Sequence, residues 1–159
     1  MTDPAEILAL CRAKGLKVAT AESCTGGMVG AALTDIAGSS DVYERGVITY
    51  SNAAKQALIG VRAETLDAFG AVSEEVAAEM AAGLLAAAPV DIAVSVTGIA
   101  GPGGSEHKPE GRVCFGLATR DGVATETVEF GALGRAGVRA AATAHALGLI
   151  WAAAAREAA

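Results

Sequence analysis

The stretch from Asp91 to Gly98, DIAVSVTG, constrains the fold more than any other part of the chain. Its apolar side chains do not alternate with charged ones, so the strand it predicts needs cover on both faces. A strand of that kind sits centrally in a sheet with helices above and below it.

The flanking segments supply those helices. Asp3 and Pro4 predict the cap and first turn of a helix that runs to about Lys14 and stops at Gly15. Leu16 to Ala21 reads as a short buried strand, and MVGAALTDIAG after it has helical spacing that ends at Gly38. A second strand is expected over GVITYS, residues 46–51, followed by a short helix capped by Asn52 and closed by Gly60. Ser73, with Glu74, Glu75 and Val76 behind it, starts another helix with an acidic first turn. Beyond Gly98 comes a loop rich in glycine and proline, then two strands joined by Asp121-Gly122, a tight-hairpin signal. The last helix is expected from about Arg135 to Arg156. The order α-β-α-β-α-α-β-β-β-α predicts an α/β fold, a three-layer α/β/α sandwich with a mixed, mostly parallel sheet. The late hairpin makes one strand antiparallel. With 159 residues and no repeat, linker or break in composition, a single domain over residues 1–159 is expected.

In open α/β sheets ligands bind where strands end and helices begin, and two strand ends here carry chemistry. The first is VATAESCTGG, residues 18–27, which gathers Glu22, Ser23, Cys24 and Thr25 ahead of Gly26 and Gly27. Three readings stay open from the residues alone. Ser23 or Thr25 can cap the following helix. Cys24 can be a reactive thiol, or a small buried one with no activating partner. Ser23 can be a nucleophile, with the free amides of Cys24 to Gly27 holding an oxyanion. A serine needs a base, and the two histidines, His107 and His145, lie in a polar loop and inside the last helix. Lysine serves when burial lowers its pKa. TYSNAAK puts Tyr50 at a strand end and Lys55 about one turn into the next helix, where phenol and amine can converge, although a lysine there can equally be a solvated helix face. The second strand end is VTGIAGPGG, in which Thr97 and Gly98 finish the central strand and Gly101, Gly103 and Gly104 permit close approach of a ligand. It is not a phosphate-binding P-loop, since no GK[ST] follows, and it lacks the dinucleotide-binding spacing.

Composition removes other classes. A net charge of −6 with 4% aromatics opposes a nucleic-acid surface, which needs clustered Lys and Arg and stacking rings. Cys11, Cys24 and Cys114 are an odd number with no metal-ligand spacing, so no metal site is expected, and reduced thiols point to a reducing compartment. The first residues lack the basic start and apolar core of a secretion signal, and no run of about eighteen uninterrupted apolar residues occurs. A cytoplasmic protein without membrane or nucleic-acid partners is expected.

Five segments together carry a further signal: TAESCTGG, DIAGSSDVYERGVITYSNAAK, GAVSEEVAAEMA, TGIAGPGGSEHKPEGRV and VRAAATAHAL. In order and spacing they resemble the CinA C-terminal domain family in its stand-alone nicotinamide-nucleotide amidase form, over about residues 5 to 152. The resemblance implies hydrolysis of the carboxamide of nicotinamide mononucleotide to nicotinate mononucleotide and ammonia, with no cofactor and a symmetric homodimer as the assembly. It implies Ser23 as nucleophile, Lys55 as general base and Tyr50 as a supporting hydroxyl. Thr25, Gly26, Gly27, Ser40, Thr97, Gly98, Gly101 and Arg135 are the candidate substrate-binding positions, Arg135 as partner of the nucleotide phosphate. The chain departs from the family pattern at Leu133-Gly134-Arg135, where relatives often carry Gly-Asp-Arg, and at Cys114, often aromatic. The rival from another class is a non-catalytic nucleotide-binding or adaptor module of the same fold. Joint retention of Ser23, Tyr50 and Lys55 favours the enzyme.

Overall fold

The computed structural model describes residues 2–105 and 107–158. Among these, five strands form one sheet in the order β2-β1-β3-β4-β5: β1 Val18–Glu22, β2 Tyr43–Ile48, β3 Ile92–Gly98, β4 Arg112–Thr119 and β5 Gly122–Glu129. Strands β1, β2 and β3 pair in parallel, and β4 runs against both of its neighbours, so β5 points the same way as the first three. The sheet is therefore mixed, with one reversed strand and β3 in the middle, as its doubly apolar sequence requires.

Six helices cover the two faces. Helices α1 (Pro4–Lys14), α2 (Met28–Thr34) and α6 (Arg135–Arg156) pack together on one side. Helices α3 (Asn52–Ile59), α4 (Ala63–Phe69) and α5 (Glu74–Ala87) lie on the other. Alternation along β3 explains how the layers differ. Ile92, Val94 and Val96 meet the large side chains of α1 and α6, including Ile7, Leu8, Val138 and Ile150. Ala93, Ser95 and Thr97 face α5, and the Ser95 hydroxyl donates to Ala77 O at 2.6 Å. Small residues on that face let α5 settle close to the sheet, which is how an alanine-rich, aromatic-poor chain still closes its core. Among the described residues α6 is the one helix long and apolar enough to cross a membrane, yet Val138, Ala142, Ala146, Ile150 and Ala153 form its core-facing stripe.

Several expected boundaries shift for local reasons. The first strand is Val18–Glu22, two residues later at its start and one at its end than Leu16 to Ala21. Strand β2 lies three residues before the expected 46–51, because its partner β1 ends at Glu22 opposite Ile48 and leaves Ser51 nothing to pair with. Ser51, not Asn52, caps α3, its side chain accepting from Ala54 N at 3.0 Å. Helix α2 stops at Thr34, whose hydroxyl bonds back to Gly30 O at 2.9 Å, and Gly38 instead begins a short 3-10 helix, Ser39–Asp41. Helix α4 was not expected. The hairpin turn is Arg120-Asp121, with Gly122 already paired to Thr119.

Candidate active site

Parallel pairing brings three strand ends to one edge of the sheet. Glu22 of β1 pairs with Ile48 of β2 and with Val96 of β3, and Ser23 N extends the ladder to Val96 O at 2.9 Å. Ser23, Thr49-Tyr50 and Thr97-Gly98 thus emerge side by side. Ser23, Tyr50, Thr97 and Gly98 line a cavity of about 210 Å³ together with Cys24, Asn52, Lys55, Ala71, Val72, Ala100 and Arg135.

Direction along β1 decides what faces the cavity. Ala19 and Ala21 pack toward α5, so Glu22 turns to the α2 side and Ser23 to the α3 side. From α3 comes Lys55, on the same stripe as buried Ile59 one turn later. Lys55 is 1% exposed, which excludes the solvated-face reading. Its Nζ lies 3.1 Å from Ser23 Oγ and donates to Thr49 O at 3.0 Å, and no carboxylate pairs with it among the described residues. Burial without a counter-charge pushes its pKa below the ordinary 10.5, since desolvation disfavours the ammonium. A neutral amine beside a serine hydroxyl can take the hydroxyl proton as the oxygen attacks. Thr49, whose carbonyl accepts from Lys55, also has a buried Oγ1 with no partner among the described residues. A buried hydroxyl without a partner is costly for stability.

Cys24 lacks the setting of an activated thiol. The residue is 5% exposed, and burial pushes its pKa up to about 11, so the thiolate is disfavoured at neutral pH. Gly98 has no room for a side chain because a Cβ would sit 2.7 Å from Val113 Cγ2 and 3.1 Å from Cys24 Sγ.

The remaining expected residues divide. Thr97 lines the cavity with its hydroxyl turned to Ala71 O at 2.9 Å, and Gly98 forms part of the wall. Arg135 bridges the mouth, donating to Gly101 O and to the Tyr50 hydroxyl, both at 2.7 Å. The Tyr50 phenol, 59% exposed, is therefore engaged by Arg135 rather than by Lys55, although both tyrosine and lysine line the cavity. Thr25, Gly26 and Gly27 do not face it. The buried Glu22 carboxylate collects the Thr25 hydroxyl at 2.7 Å and the amides of Gly27, Val29 and Gly30 at 3.2, 2.9 and 3.0 Å. Gly26 N is held by Ser23 O at 3.0 Å. The amides of Gly26 and Gly27 are thus committed elsewhere. Ser40 lies just before Tyr43, which pairs with Val18, so it sits at the opposite edge of the sheet from Ser23.

Sequence reasoning missed Asn52 in the wall, the structural work of Glu22, and Arg139. The signal for Arg139 was present: it follows Arg135 by four residues, one turn down the same helix face.

The model of the CinA C-terminal domain matches residues 2–153. The chain is 56% identical over 141 residues to the nicotinamide-nucleotide amidohydrolase PncC of Escherichia coli (strain K12), covering 88% of this chain and 86% of that one. Among solved structures it is similar to the competence/damage-inducible protein CihA from Agrobacterium tumefaciens, at a TM-score of 0.88, 45% identity and 96% of each chain. It is likewise similar to a CinA-superfamily protein from Klebsiella pneumoniae, at a TM-score of 0.92, 37% identity, 97% of this chain and 96% of that one.

Proposed function

The chain belongs to the CinA C-terminal domain family, and from that membership we propose that it is a nicotinamide-nucleotide amidohydrolase with Ser23 as nucleophile and Lys55 as general base. The observation that carries the assignment is the 3.1 Å approach of a buried, uncompensated amine to a serine hydroxyl at the end of β1. Similarity to the E. coli amidohydrolase over most of both chains supports the substrate, nicotinamide mononucleotide.

In this mechanism neutral Lys55 takes the proton of Ser23 as Oγ bonds to the carboxamide carbon, giving a tetrahedral oxyanion. The C–N bond then breaks, and the Lys55 ammonium returns its proton to nitrogen, so that ammonia leaves and an ester to Ser23 remains. Water, deprotonated by the same amine, attacks the ester; the product is the carboxylate, and Ser23 regains its proton. Arg135 at the mouth is the partner for the nucleotide phosphate, and the Tyr50 hydroxyl and Gly101 carbonyl hold its guanidinium in place.

The test is ammonia release from nicotinamide mononucleotide by the purified chain, compared with Ser23→Ala and Lys55→Arg. Both variants should lose turnover, the second because a guanidinium stays protonated and cannot accept the serine proton. Near wild-type kcat in Lys55→Arg would eliminate the dyad, and no ammonia from the wild type would eliminate the activity.

A further inference from the structure

Arg135 reaches the mouth of the cavity from an exposed stretch of chain. Residues 131–136, which lead into α6, are all exposed, and within them Gly131 and Gly134 have φ of +84° and +81°. Gly134 gives α6 no side-chain cap, and glycines at such angles leave the backbone a freedom that Arg135 would inherit. Across the mouth lies the glycine-rich loop after β3, which supplies Gly101 O to the Arg135 guanidinium.

Glu110 joins these two segments. Its Oε1 accepts from Gly103 N at 2.7 Å and its Oε2 from Gly134 N at 3.0 Å. Gly101 backs onto the same carboxylate, since a Cβ there would stand 2.6 Å from Glu110 Cδ. Arg135 completes the ring: its backbone follows Gly134, and its Nη1 donates to Gly101 O at 2.7 Å. Glu110 itself stands on a fixed base, because the neighbouring Gly111 donates to Ile99 O and accepts from Phe130 N, both at 2.8 Å. The carboxylate holds backbone rather than guanidinium, and no ion pair to Arg135 occurs among the described residues.

We propose that Glu110 is a positioning residue for substrate binding: by tying Gly134 to the loop at Gly103 it holds Arg135 at the mouth in the pose that meets the nucleotide phosphate. The inference rests on the amidohydrolase reading, in which Arg135 is the phosphate partner, and deepens it. An arginine oriented before the phosphate arrives loses less freedom on binding, which raises affinity. A carboxylate near an anion also repels it, so the two effects of Glu110 have opposite signs and its removal tells them apart. Ser23 stands at the end of β1 and Lys55 on α3, and Glu110 makes no hydrogen bond to either element, so the bond-breaking step does not depend on it.

The experiment measures kcat and KM for nicotinamide mononucleotide on the full chain, for wild type, Glu110→Ala, Arg135→Ala and the double variant. Glu110→Ala should raise KM about tenfold with kcat held within about twofold, the pattern of lost binding rather than lost chemistry. In the Arg135→Ala background the same substitution should move KM by less than about twofold, because the residue it positions is gone. A general loosening of the fold would act in both backgrounds alike. Where Arg135→Ala turns over too slowly for a KM, the Kd of nicotinamide mononucleotide on Ser23→Ala carrying the same substitutions gives the same cycle. Should Glu110→Ala fail to fold, Glu110→Gln decides: it keeps one acceptor oxygen and turns an NH2 group to the other donor, and should raise KM about threefold. An unchanged or lower KM on removing the carboxylate overturns the proposal, as does a loss confined to kcat or an equal rise in KM with and without Arg135. If Arg135→Ala leaves KM unmoved while the wild type is active and Ser23→Ala silent, the amidohydrolase assignment stands and this proposal falls. No turnover by the wild type removes both.

Discussion

Replacing Lys55 by methionine separates the catalytic from the structural consequences of burying an amine. In the native state Nζ has Thr49 O at 3.0 Å and Ser23 Oγ at 3.1 Å, with no carboxylate to offset a positive charge. Burial lowers the folded-state pKa, whereas in the unfolded chain the group titrates near 10.5. Between those two values the unfolded state binds the extra proton, so the stability of the wild type rises with pH there, by up to ~1.4 kcal/mol per pH unit for one proton. Below the folded-state pKa both states carry the proton and the desolvation penalty is complete. Above 10.5 neither does, and the penalty is gone. Lys55→Met has no such dependence. It bears instead a pH-independent cost of about 1–3 kcal/mol for leaving Thr49 O without its donor. Urea unfolding of both proteins at a series of pH values reads this directly: the variant should gain on the wild type as pH falls, while releasing no ammonia at any pH. Unfolding free energies that stay parallel from about pH 6 to the ordinary lysine pKa would mean that the amine is charged in the native state, and the general-base role would go with it.

Two further outcomes follow from the same geometry. Glu22→Gln keeps one acceptor oxygen but presents an NH2 group to one of the donors the carboxylate now holds, so it should lower stability by about 2–4 kcal/mol, read as a lower urea midpoint at unchanged m-value. A change below about 0.5 kcal/mol would show that the carboxylate is not needed to hold the loop. Cys24→Ala should retain turnover within a few-fold at a cost of about 1 kcal/mol in stability, because its thiol is buried with a pKa pushed up to about 11. Rapid inactivation of the wild type by a thiol reagent at neutral pH, absent in Cys24→Ala, would contradict this.

Much of the frame was legible because local signals and tertiary demands agree. The DIAVSVTG run is central because it has no polar face to show solvent, and Gly15, Gly60 and Ser73 end or start helices where their chemistry says they should. Boundaries failed where pairing overrides composition. Val47 and Ile48 look like the middle of a strand, but the length of β1 sets where β2 can end. Helix α4 is only seven residues long, too short for periodicity to stand out from a loop.

The site was half legible for a different reason. Ser23, Lys55, Thr97 and Gly98 meet because each ends a strand or starts a helix on one edge of a parallel sheet, a placement that follows from topology. Which way each side chain turns does not. Residues 22 and 23 leave β1 on opposite faces, so one polar cluster in sequence becomes two in space: Glu22 with Thr25, Gly27, Val29 and Gly30 under α2, and Ser23 with Lys55 under α3. The amides of Gly26 and Gly27, natural oxyanion donors on sequence grounds, are lost to Ser23 O and to that first cluster. The Glu22 carboxylate takes up the later amides, and the Arg139 guanidinium takes the carbonyls of Cys24 and Thr25. Residues without a role in bond breaking thereby determine which backbone groups can have one.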